Sequence, residues 1–352
     1  MARRKTQNPV TLQAIADEAG VSQTAVSLVL NRRGGELRIK PDTQQRILDI
    51  AQRRNYVQNH LARGLRGKRT NTIGVLWSLC GPHDSAGIPR GIAIHAQQHN
   101  YVTYLADSLS DPDVIPRALL DFAQRRVDGV IIQVIDADLM RAARIASLLD
   151  NFKASVVVSQ QPLKTSCDFV HHNMDIARDQ IIEHCLATGR RSLVFVAEGQ
   201  ANQSMLQRLQ HTARALSSDS LSVQSIPLPL GTKLNPTIIW QTLDRAAADG
   251  VRFDAVMGTS DEIAAITFGW LCERGLRVPE DVTLFGCNDS TMAPFFTPPL
   301  ASIARGHDEL VRVVTELMFN RLDAPDSPPQ HAEVKMRFVC RASAGPRKPP
   351  RK

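Results

Sequence analysis

Apolar residues near the N-terminus recur with the period of a helix in two short, adjacent segments. The first segment places its apolar residues at i, i+3, i+4 and i+7 from Leu12, with Thr11 as a cap and Gly20 as a stop. Ser22 can cap the second segment, whose apolar positions run from Ala25 to Leu30. A turn of three or four residues between two such helices predicts a helix-turn-helix unit.

The second helix presents a polar face that suits the edges of DNA bases. Its outward residues are Gln23, Thr24, Ser27, Leu28 and Asn31. A glutamine can pair with an adenine edge, and a leucine can contact the methyl group of thymine. A third helix, predicted from Pro41 to Tyr56, closes a small core behind this face.

From Thr72 onward, short β-branched runs alternate with helical stretches, which predicts a parallel sheet. After Asp175 the same pattern begins again, so the body consists of two similar α/β halves. A ligand would bind between the halves, where the carboxyl ends of the strands face each other. The predicted strands are 73–76, 102–105, 129–134, 155–159 and 169–171 in the first half, and 193–196, 222–226, 255–257, 282–287 and 300–303 in the second.

The composition is that of a soluble globular protein. Of the 352 residues, 43% are hydrophobic and 22% are charged, and no apolar run reaches the length of a membrane span. The basic start is followed by polar residues 6–9, where a signal peptide would need an apolar stretch. We therefore expect a cytoplasmic protein of two or three domains.

The net charge of +7 is unevenly distributed along the chain. Residues 1–70 carry an excess of nine positive charges, residues 71–344 an excess of six negative charges, and residues 345–352 four further positive charges. Because phosphate neutralisation dominates binding to a polyanion, a cationic head on an acidic body favours a nucleic-acid partner. A solvated basic surface is the alternative interpretation of the charge alone.

The sequence lacks motifs for metal binding, redox chemistry or catalysis. Its six cysteines lie singly, and the adjacent His171 and His172 would point to opposite faces of a strand, so we expect neither a metal site nor a cofactor. It contains no Gly-x-Ser-x-Gly elbow, no phosphate loop and no His-Glu-x-x-His motif. We therefore interpret the chain as not being an enzyme.

Several runs of the sequence resemble the lactose-repressor (LacI/GalR) family of bacterial regulators. In the head they are Val21-Ser-Gln-Thr-Ala-Val-Ser-Leu-Val-Leu-Asn31, Asn55-Tyr56 and Leu61-Ala-Arg-Gly-Leu65, and in the body they are 126–130, 275–286 and 296–303. The resemblance covers residues 9–344. It implies an α/β fold in which a three-helix head and a hinge helix precede a two-lobed, doubly wound body similar to a periplasmic sugar-binding protein.

The resemblance divides the chain into four parts. These are a helix-turn-helix domain over 9–57, a hinge helix and linker over 58–71, an effector-binding and dimerisation domain over 72–344, and a basic tail over 345–352. The chain is expected to cross back near Ser302. Lobe 1 then takes 72–173 and 304–322, and lobe 2 takes 174–303 and 323–344.

DNA contacts are implied for both the helix-turn-helix unit and the hinge helix. In the family the hinge helix folds when a dimer binds DNA, and a leucine at the position of Leu65 inserts into the minor groove, where apolar wedges kink DNA. Gln58 and Gly64 replace the usual proline and serine of this helix. The implied DNA-binding residues are Thr11, Ser22, Gln23, Thr24, Ser27, Leu28, Asn31, Asn59, Leu61, Ala62, Arg63, Leu65 and Arg66.

The resemblance also places an effector between the lobes. Arg208 matches a family arginine that binds the effector, and Ser260 and Asp261 match a polar pair whose alternative role is helix capping. Asn288 stands where the family usually has aspartate, so an amide with one acceptor and one donor replaces a carboxylate. The other implied effector positions are Ser85, Gln133, Gln160 and Leu230.

The favoured hypothesis is a sequence-specific DNA-binding transcriptional repressor of the bacterial nucleoid. As a homodimer it would bind a pseudo-palindromic operator with an affinity controlled by a small sugar-like effector. A ligand-unresponsive architectural DNA binder is the alternative, whereas a solute-binding protein for transport is opposed by the helix-turn-helix and by the absence of a signal peptide. Whether the effector induces or co-represses is left open. No leucine heptad follows the body, so a coiled-coil tetramer is not expected.

Overall fold

The computed structural model describes most of the chain, in two compact units that meet between Thr70 and Asn71. The first unit is the head and the second is the body. The described residues are 10–30, 39–54, 56, 69–79, 87–108, 113–134, 143–160, 162–198, 203–217, 221–229, 232 and 234–346.

The head contains three helices, α1 (Leu12–Ala19), α2 (Gln23–Leu30) and α3 (Pro41–Arg53). Both predicted caps are confirmed, since the Thr11 hydroxyl accepts from the Ala14 amide and the Ser22 hydroxyl accepts from the Ala25 amide, each at 3.2 Å. Gly20 ends α1 in the left-handed conformation, which glycine adopts without strain. The helices share one small core formed by Ile15, Ala16, Ala19, Val26, Val29, Ile47, Ile50 and Ala51.

Lobe 1 of the body is built on a six-stranded parallel sheet with the strand order β11-β5-β4-β3-β1-β2. Helices cover both faces of this sheet. The strands are β1 (Thr72–Trp77), β2 (Val102–Asp107), β3 (Gly129–Val134), β4 (Ala154–Ser159), β5 (Asp168–Asn173) and β11 (His331–Lys335), and the helices are α4 (Gly87–Gln98), α5 (Val114–Gln124), α6 (Ala143–Leu149) and α11 (His307–Asp323).

Lobe 2 repeats this arrangement with the strand order β12-β10-β9-β8-β6-β7, in which only β12 runs antiparallel to its neighbour. Its strands are β6 (Ser192–Glu198), β7 (Ser222–Leu228), β8 (Ala255–Gly258), β9 (Thr283–Asn288), β10 (Ala301–Ala304) and β12 (Arg337–Val339), and its helices are α7 (Asp175–Ala187), α8 (Gln203–Ser217), α9 (Pro236–Ala248) and α10 (Asp261–Glu273).

The chain crosses between the two sheets after β5, after β10 and between β11 and β12. The first two crossings follow Asn173 and Ala304. The third corrects the predicted range 323–344 for lobe 2, because β11 pairs with β5 and Val334 is fully buried in the lobe 1 core. The short run 331–335 lacks the β-branched composition of the other strands, so its position depends on main-chain pairing that the sequence pattern does not show.

The central strands of each sheet are buried on both faces, as a parallel sheet covered by helices requires. In β1 the side chains of residues 73, 75 and 77 join one apolar cluster, and Leu76 joins the cluster on the opposite face. Within the described part of the chain, no helix is both long and apolar enough to cross a membrane.

Candidate functional site

The carboxyl edges of the two sheets are turned toward the crossings that join the lobes. The last residue of β5 leads directly into α7 of lobe 2, and the last residue of β10 leads directly into α11 of lobe 1. At the crossing between β11 and β12, the Met336 amide donates to the Asn173 carbonyl at 2.7 Å. Strand carboxyl ends are where open α/β sheets bind ligands, so these edges form the candidate effector site.

Two of the sequence-predicted effector residues lie on the lobe 1 edge. Gln133 is the penultimate residue of β3, and Gln160 directly follows β4. The Gln133 side-chain oxygen accepts from the Ser78 amide at 3.1 Å, which ties the ends of β3 and β1 together. Both glutamines are partly exposed and neutral, whereas Asp107, the last residue of β2 on the same edge, accepts from the Leu79 amide at 3.0 Å.

The lobe 2 edge contains Ser260, Asp261 and Asn288, and Asp261 lies at its centre. Asp261 is only 2% exposed, and both of its carboxylate oxygens accept hydrogen bonds at 2.5 Å, from the Ser302 hydroxyl and from the Ser290 amide. Burial raises the pKa of this carboxyl, and the hydrogen bonds from Ser302 and Ser290 oppose that shift. The carboxylate therefore links α10 to β10 and to the turn after β9 and does not face open space.

Gly286 makes this arrangement of Asp261 possible. A Cβ atom at position 286 would overlap the Asp261 carboxylate and would come within 3.0 Å of Leu300. The neighbouring Ser260 caps α10, since its hydroxyl accepts from the Ile263 amide at 3.3 Å. The capping role that the sequence left as an alternative is therefore present in the structure.

Asn288 ends β9 in an unusual backbone conformation. Its φ is 108° and that of Asp289 is 52°, both in the positive region that side-chain-bearing residues rarely occupy. Asp289 is fixed by an ion pair with Arg341 at 2.7 Å and by its amide, which donates to the Ser302 hydroxyl at 3.0 Å. Such conformations persist only where the surroundings enforce them, and they cluster at ligand sites.

A histidine and an arginine join the two edges at the second crossing. His172 is 2% exposed, and its Nε2 lies 2.5 Å from the Arg305 carbonyl oxygen, so Nε2 carries the hydrogen and donates. Burial, followed by the charge of Arg305, lowers the pKa of His172 to about 3, which keeps the ring neutral. His171 instead approaches Glu333 from the other face of β5, at 3.8 Å, which agrees with the opposite orientations predicted for this pair.

Two charged residues of this region are absent from the sequence predictions. Arg305 directly follows β10, and its Nη1 donates to the Asn288 side-chain oxygen at 3.3 Å. Glu262 lies in the first turn of α10, and its buried Oε2 has no hydrogen-bond partner among the described residues. A charged residue immediately after a strand's carboxyl end is a sequence signal that could have identified Arg305.

The head exposes the polar face predicted for the second helix. Gln23 and Thr24 are exposed, and Ser27 and Leu28 are partly exposed. Thr11 and Ser22 are exposed caps. These six residues lie around the start of α1 and along α2, an arrangement that can present side chains to a DNA groove.

The remaining predicted site residues cannot be placed in this arrangement. Arg208 lies within α8, for which only the backbone is described at that position. The others fall outside the described residues: Asn31, Asn59, Leu61, Ala62, Arg63, Leu65, Arg66, Ser85 and Leu230.

Two family profiles match this chain, one in the head and one in the body. Residues 11–59 match the profile of bacterial regulatory proteins of the lacI family, and residues 182–344 match that of the periplasmic binding protein-like domain. The chain therefore combines a lacI-family helix-turn-helix segment with a periplasmic binding protein-like domain. The resemblance stated from the sequence runs and the predicted two-unit α/β fold are thereby confirmed.

Curated relatives of this chain carry the names of repressors and control proteins. The HTH-type transcriptional repressor PurR of Mannheimia succiniciproducens is 25% identical over 338 residues, which are 95% of this chain and 98% of the relative. Catabolite control protein A of Staphylococcus xylosus is 24% identical over 90% of this chain and 94% of its own. The interpretation that the chain is not an enzyme agrees with these names.

Solved structures of transcriptional regulators share the fold of this chain. The lac repressor dimer bound to operator and the anti-inducer ONPF has a TM-score of 0.81 at 20% identity, covering 96% of this chain and 99% of that chain. The complex of the transcriptional regulator CelR with cellobiose has a TM-score of 0.62 at 23% identity, covering 95% and 99%.

Proposed function

We propose that this protein is a sequence-specific transcriptional repressor that binds a pseudo-palindromic operator as a homodimer. A small effector bound between the lobes would control its affinity for that operator. The observation that carries the proposal is the presence in one chain of a lacI-family helix-turn-helix head and a periplasmic binding protein-like body. Relatives named as repressors align over nearly their whole length, which supports the same assignment.

The head supplies the sequence recognition in this proposal. The exposed residues at the start of α2 would enter the major groove, where Gln23 could form a bidentate pair with adenine. The excess positive charge of residues 1–70 would supply the affinity for phosphate that does not depend on sequence. The hinge residues named from the resemblance remain proposed minor-groove contacts.

The homodimer is supported by exposed apolar residues on the edge strand β2. Val102, Tyr104 and Leu105 are 63%, 41% and 50% exposed, and Ile94 on the adjoining helix α4 is 45% exposed. An edge strand with such side chains is a template for association unless a partner covers it. We propose that a second copy of this chain covers it, since the lac repressor of the same fold is a dimer.

The body would bind the effector between the carboxyl edges of its sheets. Ser260, Asn288, Gln133 and Gln160 would contact it, whereas the buried Asp261 would hold Ser302 and the turn at Ser290 in place. An effector that binds one arrangement of the lobes more tightly than another would shift operator affinity by that difference. CelR with bound cellobiose and another family regulator with bound ribose support a sugar or a sugar derivative as the effector.

The test is selection of genomic DNA fragments by the purified full-length protein at physiological salt without added ligand. We expect enrichment of a palindrome and a loss of specific affinity of about tenfold in Gln23→Ala. Gln13→Ala, which removes an exposed α1 glutamine bonded to Asp17 at 2.7 Å, is the matched control. Salt-sensitive binding without any enriched sequence, with or without an added panel of sugars, would favour the architectural DNA binder.

Dimerisation is tested by sedimentation equilibrium. Leu105→Asp should raise the dimer dissociation constant at least tenfold, because it places a charge on the apolar edge. Leu216→Asp changes a leucine of similar exposure on α8 and should leave the dimer unchanged. Equal sedimentation of wild type and Leu105→Asp would remove β2 from the proposed interface.

A further inference from the structure

We propose that the effector carries an oxyanion, a carboxylate or a phosphate group, that binds the Arg305 guanidinium. The inference rests on the proposed effector site and specifies its chemistry. Arg305 follows β10 at the crossing between the lobes, and its carbonyl oxygen is held by His172. Its Nη1 lies 3.3 Å from the side-chain oxygen of Asn288, which ends the neighbouring strand. The guanidinium therefore lies on the carboxyl edge of the lobe 2 sheet.

The Arg305 guanidinium forms no ion pair with an acidic side chain of the described residues. Its hydrogen bond within the described part of the chain goes to the neutral amide oxygen of Asn288, and its buried Nε has no acceptor there. Two other partly buried arginines of the body pair with carboxylates, whereas Arg190 donates to the backbone carbonyls of residues 279–281. Arg321 binds Asp168 at 2.8 Å, and Arg341 binds Asp289 at 2.7 Å.

Because residue 288 is an asparagine, the Arg305 guanidinium has an amide and not a carboxylate as its side-chain partner. An aspartate with the same shape would place a carboxylate at about the distance of an ion pair from Nη1, whereas the amide leaves the guanidinium cationic and unneutralised. His172, which lies at the same crossing, is held neutral and uses its N–H for the Arg305 carbonyl. The guanidinium fork matches carboxylate and phosphate groups, which accept two parallel hydrogen bonds.

The Glu262 carboxylate indicates that the effector also carries hydrogen-bond donors. Glu262 in the first turn of α10 has a carboxylate oxygen without a donor among the described residues, and a carboxylate accepts from hydroxyl groups. Glu262 directly follows Asp261, whose carboxylate binds Ser302 of β10 and the Ser290 amide after β9, so Glu262 and Arg305 both lie toward the carboxyl edge of the lobe 2 sheet. A cation and a hydrogen-bond acceptor on one edge fit a polyhydroxy acid or a sugar phosphate.

The first test uses inorganic phosphate as the probe on the full-length protein. About 50 mM sodium phosphate, compared with sodium chloride at equal ionic strength, should raise the Tm of the wild type by roughly 2 °C more than it raises that of Arg305→Gln. Arg277→Gln removes an exposed arginine at the opposite end of β9 and should keep the wild-type shift. Equal shifts in wild type and Arg305→Gln, or no shift in either, would overturn the proposal.

Asn288→Asp provides an independent arm that keeps Arg305 in place. The new carboxylate should pair with the guanidinium and abolish the phosphate-dependent part of the shift, as Arg305→Gln does. A full phosphate shift in Asn288→Asp would show that the anion binds elsewhere, against the proposal. Acetate in place of phosphate then separates the two oxyanions, because stabilisation by phosphate alone assigns a phosphate group and stabilisation by both admits a carboxylate.

The matched trio glucose, gluconate and glucose 6-phosphate extends the measurement to carbohydrate-like probes. A shift with an acidic member that Arg305→Gln loses would support the proposal, and a larger shift with glucose that Arg305→Gln retains would overturn it. The genomic selection described above begins without ligand and does not depend on Arg305 binding an anion. A selection that enriches no sequence would therefore reject the proposed sequence-specific regulator without bearing on the anion site. A failed phosphate test would reject the anion site without bearing on the proposed regulator.

Discussion

The two sheet edges that face each other across the crossings are built differently. The lobe 1 edge carries the neutral side chains of Gln133 and Gln160, and a single hydrogen bond fixes Gln133. The lobe 2 edge is held from within by Asp261, which is buried and accepts two short hydrogen bonds. We infer that lobe 2 is the preorganised half of the site and that lobe 1 is the half that adapts to the ligand.

This difference has an energetic consequence. Buried polar groups in a low-dielectric region lose much when a partner is removed, whereas a partly exposed amide can exchange its partner for water. Substitutions on the lobe 2 edge should therefore reduce the stability of the body more than comparable substitutions on the lobe 1 edge. Four variants test this difference between the two edges.

The largest effect is expected for Gly286→Ala. The added Cβ would overlap the Asp261 carboxylate, which cannot retreat without losing its hydrogen bonds to Ser302 and Ser290. We expect a loss of about 3 kcal/mol or more in the free energy of unfolding, measured with urea. Gly269→Ala in α10 is the control, because its Cβ would meet only Trp240, at 3.3 Å. Similar stabilities for the two variants would contradict a rigid Asp261 network.

Ser302→Ala should have the next largest effect. Ser302 is fully buried, and its hydroxyl donates to Asp261 and accepts from the Asp289 amide. Its removal leaves a donor and an acceptor without partners, at a cost of about 2–3 kcal/mol. Ser155→Ala in β4 removes a buried hydroxyl with one bond, to the Leu149 carbonyl at 3.1 Å, and should cost about 1 kcal/mol. Equal losses would remove the distinction between the lobes.

Local patterns are enough to predict most of this fold. The helical period with its caps at Thr11 and Ser22 locates α1 and α2, and every predicted strand from 73 to 303 overlaps an observed one. The strands β11 and β12 are short, and their run from His331 to Val339 mixes charged and apolar residues. Their places depend on pairing with β5 and β10, which are far away in sequence, so no local pattern could assign them to different lobes.

The candidate site is less predictable than the fold, because side-chain roles depend on neighbours brought together by the crossings. Asp261 was expected to contact the effector, yet its oxygens bind donors that follow it by 29 and 41 residues. Arg305 and Asn288 are 17 residues apart in the chain and meet only because β9 and β10 are adjacent. The sequence identifies the amide at position 288, but it does not indicate that Arg305 is its partner.

The contact between His172 and Arg305, which connects the two edges, should make the stability of the body depend on pH. The His172 pKa of about 3 lies far below the ordinary value for histidine, with Arg305, His307 and His171 adding to the effect of burial. Between pH 6.5 and pH 3, His172 is therefore protonated in the unfolded chain and neutral in the folded chain. The free energy of unfolding falls as the pH falls through this range. Between pH 7 and pH 5 this residue should cost about 2 kcal/mol. Urea unfolding of His172→Gln should lack that part of the pH dependence, whereas the exposed His331→Gln should retain it.

Gln133→Ala, the variant on the lobe 1 edge, should produce the smallest change in stability of the four. It leaves the Ser78 amide without its side-chain acceptor, but water can reach this partly exposed edge, so the loss should be about 1 kcal/mol or less. Its effect on ligand binding should be the larger one, because a glutamine that is only weakly held contributes by rearranging around the effector. Thermal shift with the phosphate probe and with the three sugars would measure this. A loss of stability as large as that of Ser302→Ala would show that the lobe 1 edge is as rigidly organised as its partner, and the asymmetry proposed for the two lobes would be wrong.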